Sequence, residues 1–262
     1  QLMGWEHHAS VEGRLLLELL NATDARLNQA LQRLQSGQES QNREENAFVR
    51  RDGTEIHAEW FNSALTDATG RVTSIMTLVQ DVSARVQMAR QQYHRANHDA
   101  LTGLDNRASF HERLERSLAR ARPAADLLAL LFIDLDGFKR INDQQGHQAG
   151  DEVLRIVAQR LLRTVREGDT VARLGGDEFL VMLDKDVTSL EPERIGQRII
   201  EALSQPMIVD GQNLEIGASI GVAMHPPLPG QLEVLMNHAD QAMYAAKRAG
   251  KGRLFHAESE GA

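Results

Sequence analysis

Two acidic clusters stand out in the 262-residue chain. In Arg173-Leu174-Gly175-Gly176-Asp177-Glu178-Phe179-Leu180-Val181, paired glycines and paired acids interrupt an apolar run. That pattern predicts a β-hairpin whose glycines let a phosphate approach without a Cβ in the way. Taken alone, such a tip is more often a solvated structural turn than a site. The second cluster, Asp134-Leu135-Asp136-Gly137-Phe138-Lys139, follows directly on the apolar run from Leu127 to Ile133. It therefore falls at the carboxyl end of a buried strand, where α/β sheets place ligands. Asp134 and Asp136 are two apart and project to the same side while the strand persists. Mg²⁺ takes one or two carboxylates plus substrate phosphates, and a neighbouring lysine supplies a phosphate counter-charge. Acids at a strand end and acids on a hairpin tip predict a two-metal phosphoryl-transfer site.

Composition narrows the chemistry. With 42% hydrophobic and 25% charged residues the chain is ordinary globular protein, long enough for one large domain or two modest ones. The chain has no cysteine, which excludes disulfides, thiolate zinc sites and a cysteine nucleophile. Any metal must sit on oxygen or imidazole. The net charge of -8 argues against a nucleic-acid coat, and the only lysines are Lys139, Lys185, Lys247 and Lys251. No apolar run reaches membrane-span length and the start does not read as a signal peptide. Because the chain begins at Gln1, it is expected to be a segment of a longer protein, and this segment is expected to be cytoplasmic without membrane contact.

Helix-period leucines at 15–20 and again at Leu27, Leu31 and Leu34 predict two helices. A hairpin follows, with Arg51-Asp52-Gly53-Thr54 as its turn between Ala47-Phe48-Val49 and the run Ile56, Ala58, Trp60, Ser63. A turn at Asp67-Ala68-Thr69-Gly70 leads to a third strand from Val72 to Val82, completing an antiparallel meander. Residues 82–98 read as a helical connector. The rest alternates: helix 108–121, strand 127–134, helix 150–165, a strand pair within 171–183, helix 193–203, a strand pair within 207–224 and helix 232–249. Alternating helices and strands with several hairpins predict an α/β sheet of mixed direction.

The motifs Asp99-Ala100-Leu101-Thr102-Gly103-Leu104-Asp105-Asn106-Arg107, Asp134 to Lys139, Asn142-Asp143 through Gly146-His147 to Gly150-Asp151, Gly175 to Phe179, Ser219-Ile220-Gly221, and Ala239 to Tyr244 through Lys247 run in order along the chain. In this series the chain resembles the GGDEF-domain diguanylate cyclases. The resemblance implies a palm-like, nucleotidyl-cyclase-type sheet, and condensation of two GTP into cyclic di-GMP with release of two pyrophosphates. It implies two Mg²⁺ (or Mn²⁺) per site, held by Asp134, the Leu135 carbonyl, Asp177 and Glu178, with Asp177 as the base that deprotonates the attacking 3′-hydroxyl. Asn142 and Asp151 match the pair that reads guanine; an amide and a carboxylate together satisfy its O6, N1 and N2 groups. Gly137, Phe138, Lys139, Gly175 and Gly176 would line the phosphates, with Lys247 and Lys251 at their far end.

Plainer roles stand beside these. Lys247 and Lys251 suit the basic end of a last helix, Asn142 a cap or turn, and Asp151 a first-turn acid. His147 reads as structural, and Met243 and Tyr244 as core-facing. The chain departs from the family at Asp105, where Pro is frequent, and at Gly252, where Asn is frequent. Neither is a chemical position. Arg166-Glu167-Gly168-Asp169, separated from Gly175 by five residues, resembles the family's product-binding inhibitory site, with Arg198 as a secondary contact. A guanidinium and a carboxylate suit a phosphate or guanine edge. Glu201-Ala202-Leu203 spells the signature of the opposing phosphodiesterase, but that enzyme needs a whole barrel domain, so the triplet is coincidence.

Residues up to about Val82 resemble the latter part of a PAS sensor domain, through the Gly53 hairpin, the Trp60 strand, the Gly70 turn and the closing Asp81-Val82-Ser83-Ala84-Arg85. Its first strands are expected upstream of Leu2-Met3-Gly4-Trp5. His7, His8 and His57 read as surface residues rather than heme ligands, and the PAS ligand is unknown. The expected organisation is a PAS-like domain 1–84, a helical linker 85–98, a GGDEF domain 99–257 and a tail 258–262. The fold class is α/β (α+β), an antiparallel PAS-like sheet joined by a helix to a central mixed sheet. Because each site takes one GTP, a homodimer is expected, with the linker helix pairing the domains. A rival reading is a catalytically silent module that binds GTP or cyclic di-GMP and regulates a partner; the intact Asp134, Gly175, Gly176, Asp177 and Glu178 favour the enzyme.

Overall fold

The computed structural model describes residues 25–49, 53–120, 127–184, 187–225 and 232–257, which form two units dividing between Gln92 and Tyr93. The helix expected at 15–20, Leu2 to Trp5, His7, His8, the first half of the Arg51–Thr54 turn and Lys185 lie outside the described residues.

In the first unit, helix α1 (Ala25–Gln35) precedes an antiparallel sheet β1-β2-β3, with β1 at Gln41–Val49, β2 at Glu55–Thr66 and β3 at Val72–Asp81. β1 begins six residues before its apolar signal because Gln41–Asn46 is polar; backbone pairing from Gln41↔Ser63 to Val49↔Glu55 carries it instead. Period-two alternation buries Ile56, Ala58 and Trp60 on one face of β2. The indole N–H of Trp60 donates to Asn46 Oδ1 at 2.7 Å, as a buried indole requires. The Asp67–Gly70 turn forms as expected: Asp67 accepts from the Thr69 N–H (2.9 Å), Thr69 Oγ1 (2.6 Å) and the Arg71 N–H (3.1 Å). These bonds hold its carboxyl below the usual range.

Helix α2 (Ser83–Asn97) has no buried residue. Its start is built into the first unit: Asp81 Oδ1 accepts the Ser83 N–H, Ser83 Oγ accepts the His57 N–H, and buried Glu59 pairs with Arg43 and, at 3.3 Å, with Arg85. His57 is thereby half-buried rather than on the surface.

The second unit is built on β4 (Leu128–Asp136), central in a sheet ordered β10-β9-β4-β6-β5. β5 is Thr170–Gly175, β6 Glu178–Leu183, β9 Gly217–His225 and β10 Leu254–His256; only β10 runs parallel to its neighbour. β4 reads as a continuous apolar run because both faces are covered. Ala129, Leu131, Ile133 and Leu135 pack into a core with α5 (His147–Thr164) and α6 (Glu191–Ser204). Leu128, Leu130 and Phe132 pack with α3 (Arg107–Arg120) and α7 (Leu232–Arg248) on the other side.

Three expectations change. The stretch 207–224 is a small separate hairpin, β7 (Met207–Val209) with β8 (Gln212–Leu214), followed by β9 of the main sheet. The helix expected at 150–165 begins at His147 and follows a distinct α4 (Phe138–Gln145), whose polar sequence buries only Phe138 and Ile141. Met243 is buried in α7, but its neighbour Tyr244 is 61% exposed, one helical step off the core face. Among the described residues no helix is long and apolar enough to cross a membrane.

Candidate active site

Strand β4 delivers its acids where the sheet ends. Asp134 is opposite Glu178 across β6 and opposite Ser219 across β9. The β5–β6 turn, with φ +140° at Gly175 and +54° at Gly176, folds back so that the Leu135 N–H donates to the Asp177 carbonyl at 3.2 Å. In an extended strand the N–H and C=O of one residue point to the same side, so the Leu135 carbonyl also faces the hairpin. Asp134, Leu135, Asp177 and Glu178 thus gather at one end of the sheet, as expected from the sequence.

Asp134 is only 7% exposed. Burial raises its carboxyl; a bond from Lys247 opposes this, while the charges of Asp177 and Asp136 raise it further. Lys247 Nζ lies 2.6 Å from Asp134 Oδ2, so in this structure its ammonium pairs with the acid. Asp136 is engaged differently. It accepts from Ser219 Oγ at 2.9 and 3.0 Å and from the Gly252 N–H at 3.0 Å. Gly252 has φ +59°, a conformation that Gly and Asn tolerate best, so glycine suits the backbone at this departure from the family pattern. The other departure, Asp105, is a buried structural acid paired with Arg113 at 2.6 Å.

The donor chemistry suits a hard divalent cation: carboxylate and carbonyl oxygens on two neighbouring strands, one of them already holding an ammonium. Among the described residues no three acidic or imidazole side chains converge as a preformed cage. Mg²⁺ does not require one, since it keeps waters and takes phosphate oxygens.

Asn142 sits on α4 and Asp151 on α5, brought together by a close helix contact. A Cβ on Gly150 would fall 1.9 Å from Asn142 Oδ1, so only glycine lets the amide lie there, one residue from Asp151. Lys139 is exposed on the first turn of α4, whose leading amides have no intrahelical acceptor and suit an anion. Phe138 is the correction: its side chain is buried in the core, so it offers a ligand only backbone. Lys251 is exposed beyond α7. A cavity of about 290 Å³ opens beside Glu178, lined by Arg107, Phe132, Leu174 and Asp240.

Arg173 escaped the sequence reading. Its Nη1 donates to both Asp99 oxygens (3.0 and 3.2 Å), while Nε and Nη2 donate to the Gly176 carbonyl (3.1 and 2.8 Å). It ties the turn after α2 to the hairpin tip. The only available signal was an arginine two residues before the glycines.

At the other end of β5 the Arg166 N–H donates to Asp169 Oδ2 at 2.9 Å, and Arg198 Nη2 donates to the Thr164 carbonyl at 2.8 Å. All three predicted inhibitory residues therefore gather at the end of α5. Burial, helped by the charges of Asp184 and Glu191, raises the Asp169 carboxyl against the Arg166 N–H bond and the Arg166 charge. The Arg166 guanidinium is ion-paired with buried Glu191. Glu201-Ala202-Leu203 lies on α6, where the Ala202 and Leu203 carbonyls accept from Arg160.

Residues 96–253 match the family described as diguanylate cyclase, GGDEF domain, and residues 1–82 match the PAS fold. Diguanylate cyclase TpbB of Pseudomonas aeruginosa is 45% identical over 166 residues, covering 63% of this chain and 38% of that protein. The solved GGDEF domain of TpbB superposes with TM-score 0.59 at 44% identity, over 62% of this chain and 95% of that one. The coiled coil and GGDEF domain of DgcB from Caulobacter crescentus, solved in complex with c-di-GMP, gives TM-score 0.62 at 31% identity, over 67% and 93%. The chain spans 38% of TpbB and 23% of the probable diguanylate cyclase DgcE of Escherichia coli. With its ordered motifs, its sheet and these matches, the chain belongs to the GGDEF-domain diguanylate cyclase family and carries a PAS fold ahead of that domain.

Proposed function

We propose that the chain condenses two GTP into cyclic di-GMP and two pyrophosphates, in an arrangement that pairs two copies. The carrying observation is buried Asp134 at the end of the central strand, facing the Asp177–Glu178 hairpin and holding the Lys247 ammonium. Asn142 and Asp151 select guanine, and Lys139, Lys251 and the α4 amides take the triphosphate. Asp134, the Leu135 carbonyl, Asp177 and Glu178 would hold two divalent metals, which when bound polarise the α-phosphate and offset charge on the leaving pyrophosphate. Asp177 accepts the proton of the attacking 3′-hydroxyl. That oxygen bonds to the α-phosphorus of the GTP in the other copy as the bond to pyrophosphate breaks, and two such steps close the ring.

Regulation belongs to the same reading. The domains run 1–84, 85–98 and 99–257, and α2, without a buried residue, is too short to be stable alone in water. It pairs with a second copy and transmits the PAS state. Arg166, Asp169 and Arg198 bind product and restrain turnover. Purified chain with GTP and Mg²⁺, assayed for pyrophosphate and cyclic di-GMP beside Asp177→Ala, is the test. Product from wild type alone supports the reading. Equal product from both removes the role of Asp177, and none from either leaves a binding module.

A further inference from the structure

We propose that Lys247 is an internal cation that occupies the metal position on Asp134 and makes divalent-metal binding there dependent on nucleotide. This rests on Asp134 being a metal ligand.

The Nζ–Oδ2 distance of 2.6 Å is that of a strong charge-assisted hydrogen bond, made in the last turn of α7 to the least exposed acid of the site. Among the described residues no other lysine or arginine is ion-paired with Asp134, Asp136, Asp177 or Glu178. A metal ion arriving alone must displace this ammonium. Asp136 is a poor new partner, because Ser219 and Gly252 already donate to it. The ion would also find no cage of three side-chain ligands among the described residues. A metal–triphosphate complex meets neither obstacle. It brings its own oxygen ligands, and it gives the displaced Lys247 a phosphate to pair with. The ammonium therefore moves from carboxylate to phosphate as the metal moves onto the carboxylate. Linkage makes the effect reciprocal: nucleotide strengthens metal binding by the factor by which metal strengthens nucleotide binding.

The test is Mn²⁺ titration of the full chain at pH 8, with free ion followed by electron paramagnetic resonance, with and without 3′-deoxy-GTP, which cannot condense. Asp134→Asn sets the background from other sites. Lys247→Gln is expected to bind Mn²⁺ without nucleotide about tenfold more tightly than wild type, the scale of one charged hydrogen bond. The enhancement by 3′-deoxy-GTP shrinks in that variant. Lys247→Arg keeps the charge and stays within about threefold of wild type. If Lys247→Gln matches wild type or binds Mn²⁺ more weakly, or if Lys247→Arg gains as much as Lys247→Gln, the inference is overturned. If Asp134→Asn binds Mn²⁺ and nucleotide like wild type, the reading of the site itself fails. Thermal melts of each variant separate these outcomes from unfolding.

Discussion

Replacing Arg173 by Met removes the tie between the exit of α2 and the Gly175–Gly176 hairpin while keeping most of the side-chain volume. The Arg173 side chain is 11% exposed, and its guanidinium makes charge-assisted bonds to Asp99 and to the Gly176 carbonyl. Bonds of that kind contribute about 1.5–3 kcal/mol each. Asp99 keeps its two bonds from Thr102 and gains water, so a net loss of about 2–3 kcal/mol is expected. For a domain of this size that lowers the melting temperature by roughly 5–10 °C. The effect on rate is separate. The Gly176 carbonyl precedes Asp177, so releasing it would misplace the proposed base; a shift of about 1 Å costs on the order of 10²-fold in kcat. The KM for GTP is expected to change little, because the proposed guanine readers Asn142 and Asp151 stand on α4 and α5. Burial pushes the Asp99 carboxyl up, yet the bonds from Thr102 and Arg173 outweigh it and hold the group below its usual range. The stability they supply is present above the unfolded pKa of about 3.9 and is lost as pH falls through the folded value, so the two melting curves converge in acid. Steady-state pyrophosphate release well below the melting transition gives the kinetic arm. A double-mutant cycle with Asp99→Asn gives the coupling, expected at about 1–2 kcal/mol. Wild-type kcat in folded Arg173→Met, or strict additivity with Asp99→Asn, would refute the tie.

Gly150→Ala drives a methyl group into the Asn142 amide and should raise the KM for GTP about tenfold without lowering the melting temperature, since Ala favours the helix; an unchanged KM counts against Asn142 as the guanine reader. Asp134→Asn should stabilise the fold while abolishing turnover. The folded carboxyl is raised, so its favourable contribution is complete below about pH 4 and lost as pH rises through the folded value; the variant should melt about 1–3 °C above wild type at pH 8 and level with it in acid. A lower melting temperature at pH 8 contradicts that sign. Glu191→Gln frees Arg166 and should strengthen inhibition by cyclic di-GMP about fivefold, whereas Arg166→Ala should abolish it. Identical inhibition curves for all three proteins would remove the inhibitory role.

The sequence made some parts of the site far more legible than others. Apolar continuity announced β4, and the paired glycines announced the hairpin, because burial on two faces and positive φ each leave a residue-type trace. The acids at 134, 177 and 178 came together as expected for the same reason. What stayed hidden depends on tertiary distance. Nothing in residues 138–145 separates a short polar helix from the one after it until Gly146 breaks the run at φ +86°. Gly150 reads as an ordinary motif glycine until a neighbouring helix fills the space its Cβ would take. Tyr244 and Met243 are adjacent, and only the angular position of α7 on the sheet assigns one to solvent and one to the core. The partners of Arg173 are 74 residues away at Asp99 and three residues away at Gly176, a pairing no local pattern encodes.

The chain's charge distribution constrains how an anionic substrate approaches such a site. Four acids stand at the ends of β4 and β6 in a protein of net charge -8. Asp136 accepts hydrogen bonds from a hydroxyl and an amide, and Asp134 is paired with Lys247. Asp177 and Glu178 have no ion-paired cation among the described residues. A bare triphosphate would meet these two carboxylates at close range, and Lys139 and Lys251 lie on exposed positions that attract it without cancelling them. Entry as a metal complex reverses the sign of the encounter. Under the proposed function the cation would face the hairpin acids and the phosphate tail would face the lysines and the α4 amides, giving each charge an opposite neighbour in a single step. On that reading the two hairpin acids would gain opposite neighbours only when substrate and metal arrive together, which is where a catalyst gains from keeping them.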